Sequence, residues 1–307
     1  MHRESFVLQW RATSFGTALS RWITKGTGTQ ILFYQSFITS SMRLFLYFSM
    51  IFYFSGTGNS EWIANQLSKG QNEDLVFIPE ALKNEALEFD LQKDEKIGFV
   101  FPIYSWAPPE IVLRFINRIS LKEYQNQYLF FVCSCGDDTG LTQQVLVKAL
   151  NDKGLLCHAG FSVTMPNNYV LLPGFDVDTK ELERIKLANA VPRLTEINAL
   201  ISRREKIFSC HEGSLPFLKT RIINPLFNRF QMSPKHFYAT DSCISCKRCE
   251  KVCPVDNVKL REGRPVWGKN CTSCLACYHV CPQQAVQYGK RTRNKGQYFN
   301  PDKSIRL

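Results

Sequence analysis

Eight of the twelve cysteines in this 307-residue chain fall within residues 243–281. Cys243, Cys246, Cys249 and Cys253 have the spacing C-x2-C-x2-C-x3-C and are followed by Pro254. Cys271, Cys274, Cys277 and Cys281 repeat that spacing and are followed by Pro282. Each cysteine of the second run lies twenty-eight residues after its counterpart, so the segment is an internal duplication. Thiolates at short, regular spacing are soft donors that select iron–sulfur clusters or zinc. Zinc ribbons pair two separated C-x2-C knuckles, which two runs of four with a trailing proline fit poorly. Disulfides fit less well still, because clustered cysteines in a chain of this length argue for metal chemistry in a reducing compartment, hence a cytoplasmic location. Cys133, Cys135, Cys157 and Cys210 lie outside the runs. Cys133 and Cys157 read as small apolar core residues.

A second chemistry-bearing stretch, residues 51–60, reads IFYFSGTGNS. Residues 51–54 fit a short buried strand, and Asn59 or Ser60 caps the helix that follows. The loop therefore sits at the carboxyl end of a strand and the amino end of a helix, where open α/β sheets bind ligands and where free N–H groups suit a phosphate. No lysine is present, as a Walker-type loop requires, and Glu61 stands where a dinucleotide fingerprint needs its third glycine. What remains is a cradle of Ser55, Thr57 and Ser60 hydroxyls with Gly56 and Gly58, a neutral donor set suited to one terminal monophosphate. An ordinary glycine-rich βα turn is the competing interpretation.

Both motifs have known relatives. FSGTGNS resembles the FMN-phosphate loop of the flavodoxin family, which implies that Ser55, Gly56, Thr57, Gly58, Asn59 and Ser60 hold the phosphate. The same resemblance places the flavin ring across the loops after the third and fourth strands, here 102–106 and 134–138. It makes Tyr104 or Trp106 a stacking partner, against ordinary packing of loop aromatics, and puts Ser134, Cys135 and Gly136 at the ring. Residues 165–169 also resemble relatives of this family, without a contact assigned to any one of them. The doubled cysteine run resembles the bacterial two-cluster ferredoxin, in which the fourth thiolate of each [4Fe–4S] cube comes from the opposite half. That implies one cluster on Cys243, Cys246, Cys249 and Cys281, and another on Cys271, Cys274, Cys277 and Cys253. Residues 50–290 together resemble flavodoxin–ferredoxin fusion proteins.

The elements needed to position these groups can be read from apolar periodicity. After the first strand come strands at 75–78, 97–101, 128–133 and within 155–163. Helices open at Pro108-Pro109-Glu110, with Val112, Phe115, Ile116 and Ile119 on one face, and near Leu141, with Val145, Ala149 and Leu150. A last helix includes Leu187, Val191, Leu194 and Ile201, with Pro192 expected to kink or divide it. Alternation of strands and helices predicts an α/β fold, a flavodoxin-like, doubly wound, parallel five-stranded sheet, followed by a small α+β bacterial-ferredoxin domain. The expected organisation is a flavodoxin-like domain at 50–205, a connector at 206–236, the dicluster domain at 237–290 and a basic tail at 291–307. In the connector Leu218, Ile222, Leu226 and Phe230 recur every fourth residue, too apolar for a free linker, so it is expected to pack on one or both domains.

The net charge of +11 sits at the ends of the chain. Residues 1–49 carry five Lys or Arg against one acid, 50–236 twenty against twenty-one, and 237–307 thirteen against five. The first segment resembles a transit peptide and reads as a poorly ordered extension; a protein started at Met50 is expected to fold and load its cofactors equally well. No stretch reaches the ~18–20 uncharged apolar residues of a spanning helix, so no transmembrane segment is expected. Two oxidised cubes carry about −2 each by formal counting, which roughly halves the C-terminal excess. Lys247, Arg248, Lys251, Lys259 and Lys269 surround the motifs and suit a solvated face, a raised reduction potential or an acidic redox partner. Nucleic acid is not an expected partner, since the basic segment 290–295 accompanies no recognisable module. His279, inside the second run, reads as packed or exposed rather than ligating.

These features together predict an electron-transfer protein relaying electrons between FMN and two [4Fe–4S] clusters to an external partner protein. Two alternatives stand beside it: a flavin-dependent reductase of a small molecule fed by the clusters, and a non-redox regulatory or nucleic-acid-binding protein with structural metal. No paired carboxylates and no nucleophile–base set stand out as catalytic residues.

Overall fold

The apolar run before the glycine loop becomes strand β1 (Met50–Tyr53), with every residue buried. The computed structural model describes residues 50–305 apart from 72, 73, 232 and 303; the expected extension at 1–49 lies outside the described residues. The chain continues through α1 (Asn59–Gln71), β2 (Asp74–Phe77), α2 (Ile78–Lys83), β3 (Glu88–Asp90), β4 (Lys96–Pro102), α3 (Glu110–Arg118) and β5 (Ser120–Lys122). It goes on through β6 (Tyr128–Cys135), α4 (Thr142–Asp152), β7 (Cys157–Thr164), α5 (Lys180–Ser202) and β8 (Phe208–Ser209). The main sheet has the order β2-β1-β4-β6-β7-β8, and every pairing in it is parallel. Counted by rank, its first five strands run 2-1-3-4-5, the flavodoxin-like doubly wound order. Helices α2, α3 and α4 cover one face and α1 and α5 the other. Burial on both faces explains why these strands are continuous apolar runs rather than alternating ones.

Two details differ from expectation. A sixth strand, β8, extends the sheet by pairing Gly160 with Phe208 and Phe161 with Ser209. With only two residues, it is too short to show a period. Helix α5 also runs undivided through Pro192. Its buried residues Lys186, Ala190, Leu194, Ile197 and Ile201 fall on both sides of the proline, and burial of that continuous face outweighs one lost backbone bond.

Beyond β8, a helical connector is built from α6 (Pro216–Leu218), a π-helical turn (Lys219–Ile223) and α7 (Asn224–Gln231). The cysteine domain follows with β9 (Phe237–Ala239), α8 (Arg248–Lys251), β10 (Val258–Arg261), β11 (Arg264–Trp267), α9 (Ala276–His279) and β12 (Val286–Tyr288). Its antiparallel pairs are β9 with β12 and β10 with β11. The twenty-eight-residue repeat is visible in the backbone. Left-handed residues recur at Ser245 and Ser273, at Lys247 and Leu275, and at Asp256 and Gln284. The two domains share apolar clusters: Val170 and Leu171 pack among the buried residues of the cysteine domain, while Val255 and Cys274 pack against the sheet domain. Among the described residues, no helix is long and apolar enough to cross a membrane.

Candidate functional site: two cysteine cages against a buried glycine loop

The eight motif cysteines divide into two groups of four around two small cavities. One is lined by Cys243, Cys246, Cys249 and Cys281, the other by Cys253, Cys271, Cys274 and Cys277. Each group takes three thiols from one run and the last from the other. The left-handed residues within each C-x2-C-x2-C loop turn the backbone repeatedly, so that successive cysteines face one interior space. A short helix, α8 or α9, then carries the chain away. Among the described residues, no set of three or more His, Cys, Asp or Glu side chains converges closely enough for one metal ion. The four thiols in each group stand around a space instead, a donor set that fits a polynuclear cube.

Backbone and side-chain donors already point at the sulfurs. Asn257 N–H donates to Cys253 Sγ at 3.1 Å and Ala285 N–H to Cys281 Sγ at 3.2 Å, equivalent bonds in the two repeats. Ser273 N–H reaches Cys271 Sγ at 3.3 Å and Trp267 Nε1–H reaches Cys277 Sγ at 3.5 Å. Burial pushes the Cys274 thiol up to about 12 and the Cys249 thiol up to about 11, and raises Cys271 and Cys277 as well. Burial on this scale in the second cage disfavours thiolates unless bound cations offset the desolvation.

The glycine loop lies beneath the second cage. A Cβ on Gly56 would sit 2.7 Å from Cys274 Cβ and 2.8 Å from its carbonyl oxygen, so the loop 271–277 rests directly on the loop 55–60. Gly58 has φ +93°, open to glycine without strain, and its N–H donates to Ser55 Oγ at 3.2 Å. Ser55, Thr57, Asn59 and Ser60 are all buried, and Ser60 Oγ pairs with Ser134 Oγ at 2.8 Å. Asn168 Nδ2–H donates to Thr57 Oγ1. Hydroxyls and amides without a fixed charge are a donor set that fits a phosphate, and each hydroxyl keeps acceptor and donor capacity beyond these bonds.

A cavity of about 520 Å³ adjoins this region. Tyr104, Trp106, Cys135 and Gly136 line it, together with Phe227 of the connector and Cys274 of the second cage. Its size and aromatic lining fit a flat heteroaromatic ring. Tyr104 and Trp106 are placed by a tight turn in which Ser105 and Trp106 are left-handed and Tyr104 pairs with Ala107. Burial, and then the nearby Cys274 and Cys271, hold the Tyr104 phenol well above its ordinary value. The Cys135 thiol is pushed up to about 12 by burial and then by Asp138 and Asp137, and so stays neutral. A Cβ at Gly136 would lie 1.6 Å from Asn167 Oδ1, so any side chain there would have to displace Asn167.

Several residues at the site were not singled out by motif. Thr220 Oγ1–H donates to Trp106 O at 2.8 Å and accepts from Leu141 N–H at 2.8 Å. Asn224 Nδ2–H reaches Tyr104 O and Ser105 O, both at 3.0 Å. The connector thereby pins the 102–106 loop, and Lys219 Nζ reaches Asp138 Oδ2 of the 134–138 loop. The basic tail does not project into solvent either. Tyr298 O–H donates to Asn59 Oδ1 at 2.6 Å, Asn300 Nδ2–H to the same oxygen at 3.1 Å, and Asn300 N–H to Thr57 O at 2.9 Å. His279 joins the three parts: its Nε2 bonds Asn168 O at 2.7 Å and its Nδ1 bonds Tyr298 N at 3.1 Å. Burial lowers His279 to about 4, which favours the neutral ring these two bonds require. Only the connector's apolar recurrence signalled any of this; separations beyond 230 residues in sequence leave no local trace.

A family model described as a 4Fe-4S dicluster domain matches residues 242–289. No curated protein matches the chain. Among solved structures, Trp repressor binding protein from Bacillus subtilis is similar at 15% identity and a TM-score of 0.34, over 50% of this chain and 98% of that one. Rubredoxin oxygen:oxidoreductase from the anaerobe Desulfovibrio gigas is similar at 18% identity and a TM-score of 0.28, over 49% of this chain and 36% of that one. The chain joins a flavodoxin-like α/β domain to a C-terminal 4Fe–4S dicluster domain, and an electron-transfer domain of this kind implies a redox partner.

Proposed function

We propose that the protein relays electrons between a bound FMN and two [4Fe–4S] clusters, and from there to an external redox protein. The observation that carries this reading is the contact between Gly56 and Cys274. The cysteine loop of one cage lies on the glycine loop and also lines the adjoining ring-sized cavity. FMN would supply two-electron capacity released in single steps, and each cluster one-electron capacity.

The chain's own residues do the positioning. Ser55, Gly56, Thr57, Gly58, Asn59 and Ser60, with Ser134 behind them, would hold the phosphate. Tyr104, Trp106, Cys135 and Gly136 would border the ring. Cys253, Cys271, Cys274 and Cys277 would hold the near cluster, and Cys243, Cys246, Cys249 and Cys281 the far one. The residues 50–205 form the flavin unit, 206–236 the packed connector and 237–290 the dicluster unit, with the tail closing over the phosphate loop. The connector would hold both loops that border the ring, 102–106 through Thr220 and Asn224 and 134–138 through Lys219 on Asp138.

The test is anaerobic purification followed by flavin, iron and sulfide assays and a reductive titration. The expected result is one flavin per chain, about eight irons and about eight sulfides, as two [4Fe–4S] cubes require, with both chromophores bleached by a low-potential reductant. Material that lacks either chromophore after anaerobic reconstitution overturns the proposal.

A further inference from the structure

The dicluster domain has two equivalent faces, and the chain uses one of them. In the second repeat the loop between the first and third cysteines is turned into the flavodoxin-like domain. Ser273, Leu275 and Ala276 are buried there, the last two at 3% and 0% exposure. Their counterparts twenty-eight residues earlier are Ser245, Lys247 and Arg248, all exposed, with Cys246 exposed between them. Ile244, at 61% exposure, stands where the second repeat has Thr272. The backbone is the same on both sides, including the left-handed residues at 245 and 247 and at 273 and 275. The repeat therefore presents the same cluster edge twice, once covered by the chain's own domain and once open.

We infer that the open face around Ile244, Cys246, Lys247 and Arg248 is the docking surface for an acidic one-electron carrier protein, resting on the relay proposed above. The covered face shows what a docked redox domain looks like on this edge: apolar residues at 275 and 276, suited to a permanent contact. Replacement by Lys247 and Arg248 makes the open edge cationic around one exposed apolar residue. That is the makeup of a transient interface steered by charge. Lys251 extends the patch, and none of Lys247, Arg248 and Lys251 forms an ion pair among the described residues. The neighbouring acids are engaged: Glu250 lies 4.0 Å from Lys259, and Asp241 bonds Arg264 at 2.9 Å. A partner with acidic groups around its own redox centre complements this face. One electron then passes from the reduced far cluster to the oxidised carrier, or the reverse, with no bond made or broken.

The test uses cofactor-loaded full-length protein and a purified acidic two-cluster ferredoxin as the carrier, with basic cytochrome c as the opposite-sign probe. Electron exchange is followed by anaerobic stopped flow at ionic strengths of about 0.01 M and about 1 M, where charges are felt over roughly 30 Å and 3 Å. The double variant Lys247→Glu/Arg248→Glu is expected to lower the second-order rate with the acidic carrier by about tenfold or more at low salt. It should match the parent at high salt. Lys153→Glu, on the other domain, should leave the rate unchanged. Iron and flavin assays on the parent separate failure of the relay from failure of this surface. Should the double variant lose iron, Lys251→Glu decides in its place: a low-salt rate with the acidic carrier that falls, and matches the parent at high salt, supports the surface, and an unchanged rate overturns it. Equal salt slopes for the two carriers overturn it. A deficit that persists at high salt assigns the two residues to cluster tuning and also overturns it, as does a stable dimer burying this face.

Discussion

Gly56 shows what a single missing methyl group does at this site. Its absent Cβ is the space occupied by Cys274, and one of the colliding atoms is a backbone carbonyl that cannot rotate away. Gly56→Ala is therefore expected to force the two loops apart, at a cost of about 1–3 kcal/mol typical of overpacking. Thermal unfolding should register that loss, and flavin-to-cluster electron equilibration should slow in the same protein. His279 makes a complementary case. Its ring satisfies a carbonyl in the loop 165–169 and an amide in the tail, both in a buried setting. His279→Leu keeps the volume and removes both partners, leaving Asn168 O and Tyr298 N–H unpaired at about 1–3 kcal/mol each. Calorimetric unfolding checks the expected fall in midpoint. The glycine pattern was legible as a close-approach loop, because positive φ and lack of a side chain are properties of the residue itself. What approaches Gly56 and which carbonyl His279 holds depend on residues more than 100 positions away, and the Tyr298 amide lies 19 positions on in a segment without periodicity, so none of these was legible.

At the scale of elements, the strands and helices were largely legible, since two-sided burial writes continuous apolar runs and one-sided burial writes a helical period. The exceptions have physical reasons. β8 is too short for a pattern, and α5 tolerates Pro192 because its packed face spans it. The tail misled for a different cause: its Lys and Arg dominate its composition, while the residues that engage the site are Tyr298 and Asn300. They close over the glycine loop with three hydrogen bonds. Tyr298→Phe/Asn300→Ala removes two of them, each worth about 0.5–1.5 kcal/mol, so FMN affinity should weaken by roughly tenfold or more in a fluorescence titration. The connector acts on the ring side. Thr220→Val removes the acceptor of the buried Leu141 N–H and the donor to the partly buried Trp106 O. A loss of about 1–3 kcal/mol in unfolding free energy is expected, with cysteine-cage iron unchanged.

Across the whole molecule, the duplicated cysteine run is symmetrical in sequence and asymmetrical in place. Nothing in two identical spacings says which cage meets the glycine loop; that follows from Leu275 and Ala276 being apolar where Lys247 and Arg248 are charged. The crossing of the fourth ligand makes this asymmetry testable, because each cage borrows one thiol from the other run. Cys281→Ala lies in the second run yet should empty the cage that faces solvent, and Cys253→Ala lies in the first yet should empty the one against Gly56. Each variant should lose about four of eight irons by chemical assay. Their kinetics should then diverge. With Cys281→Ala, reduced flavin still equilibrates with the remaining cluster, but exchange with an external carrier slows. With Cys253→Ala, the internal step itself slows, because the stretch between the ring cavity and the far cage is left without a centre. Stopped-flow absorption after rapid reduction distinguishes the two, and identical behaviour of the two variants would refute the order of centres.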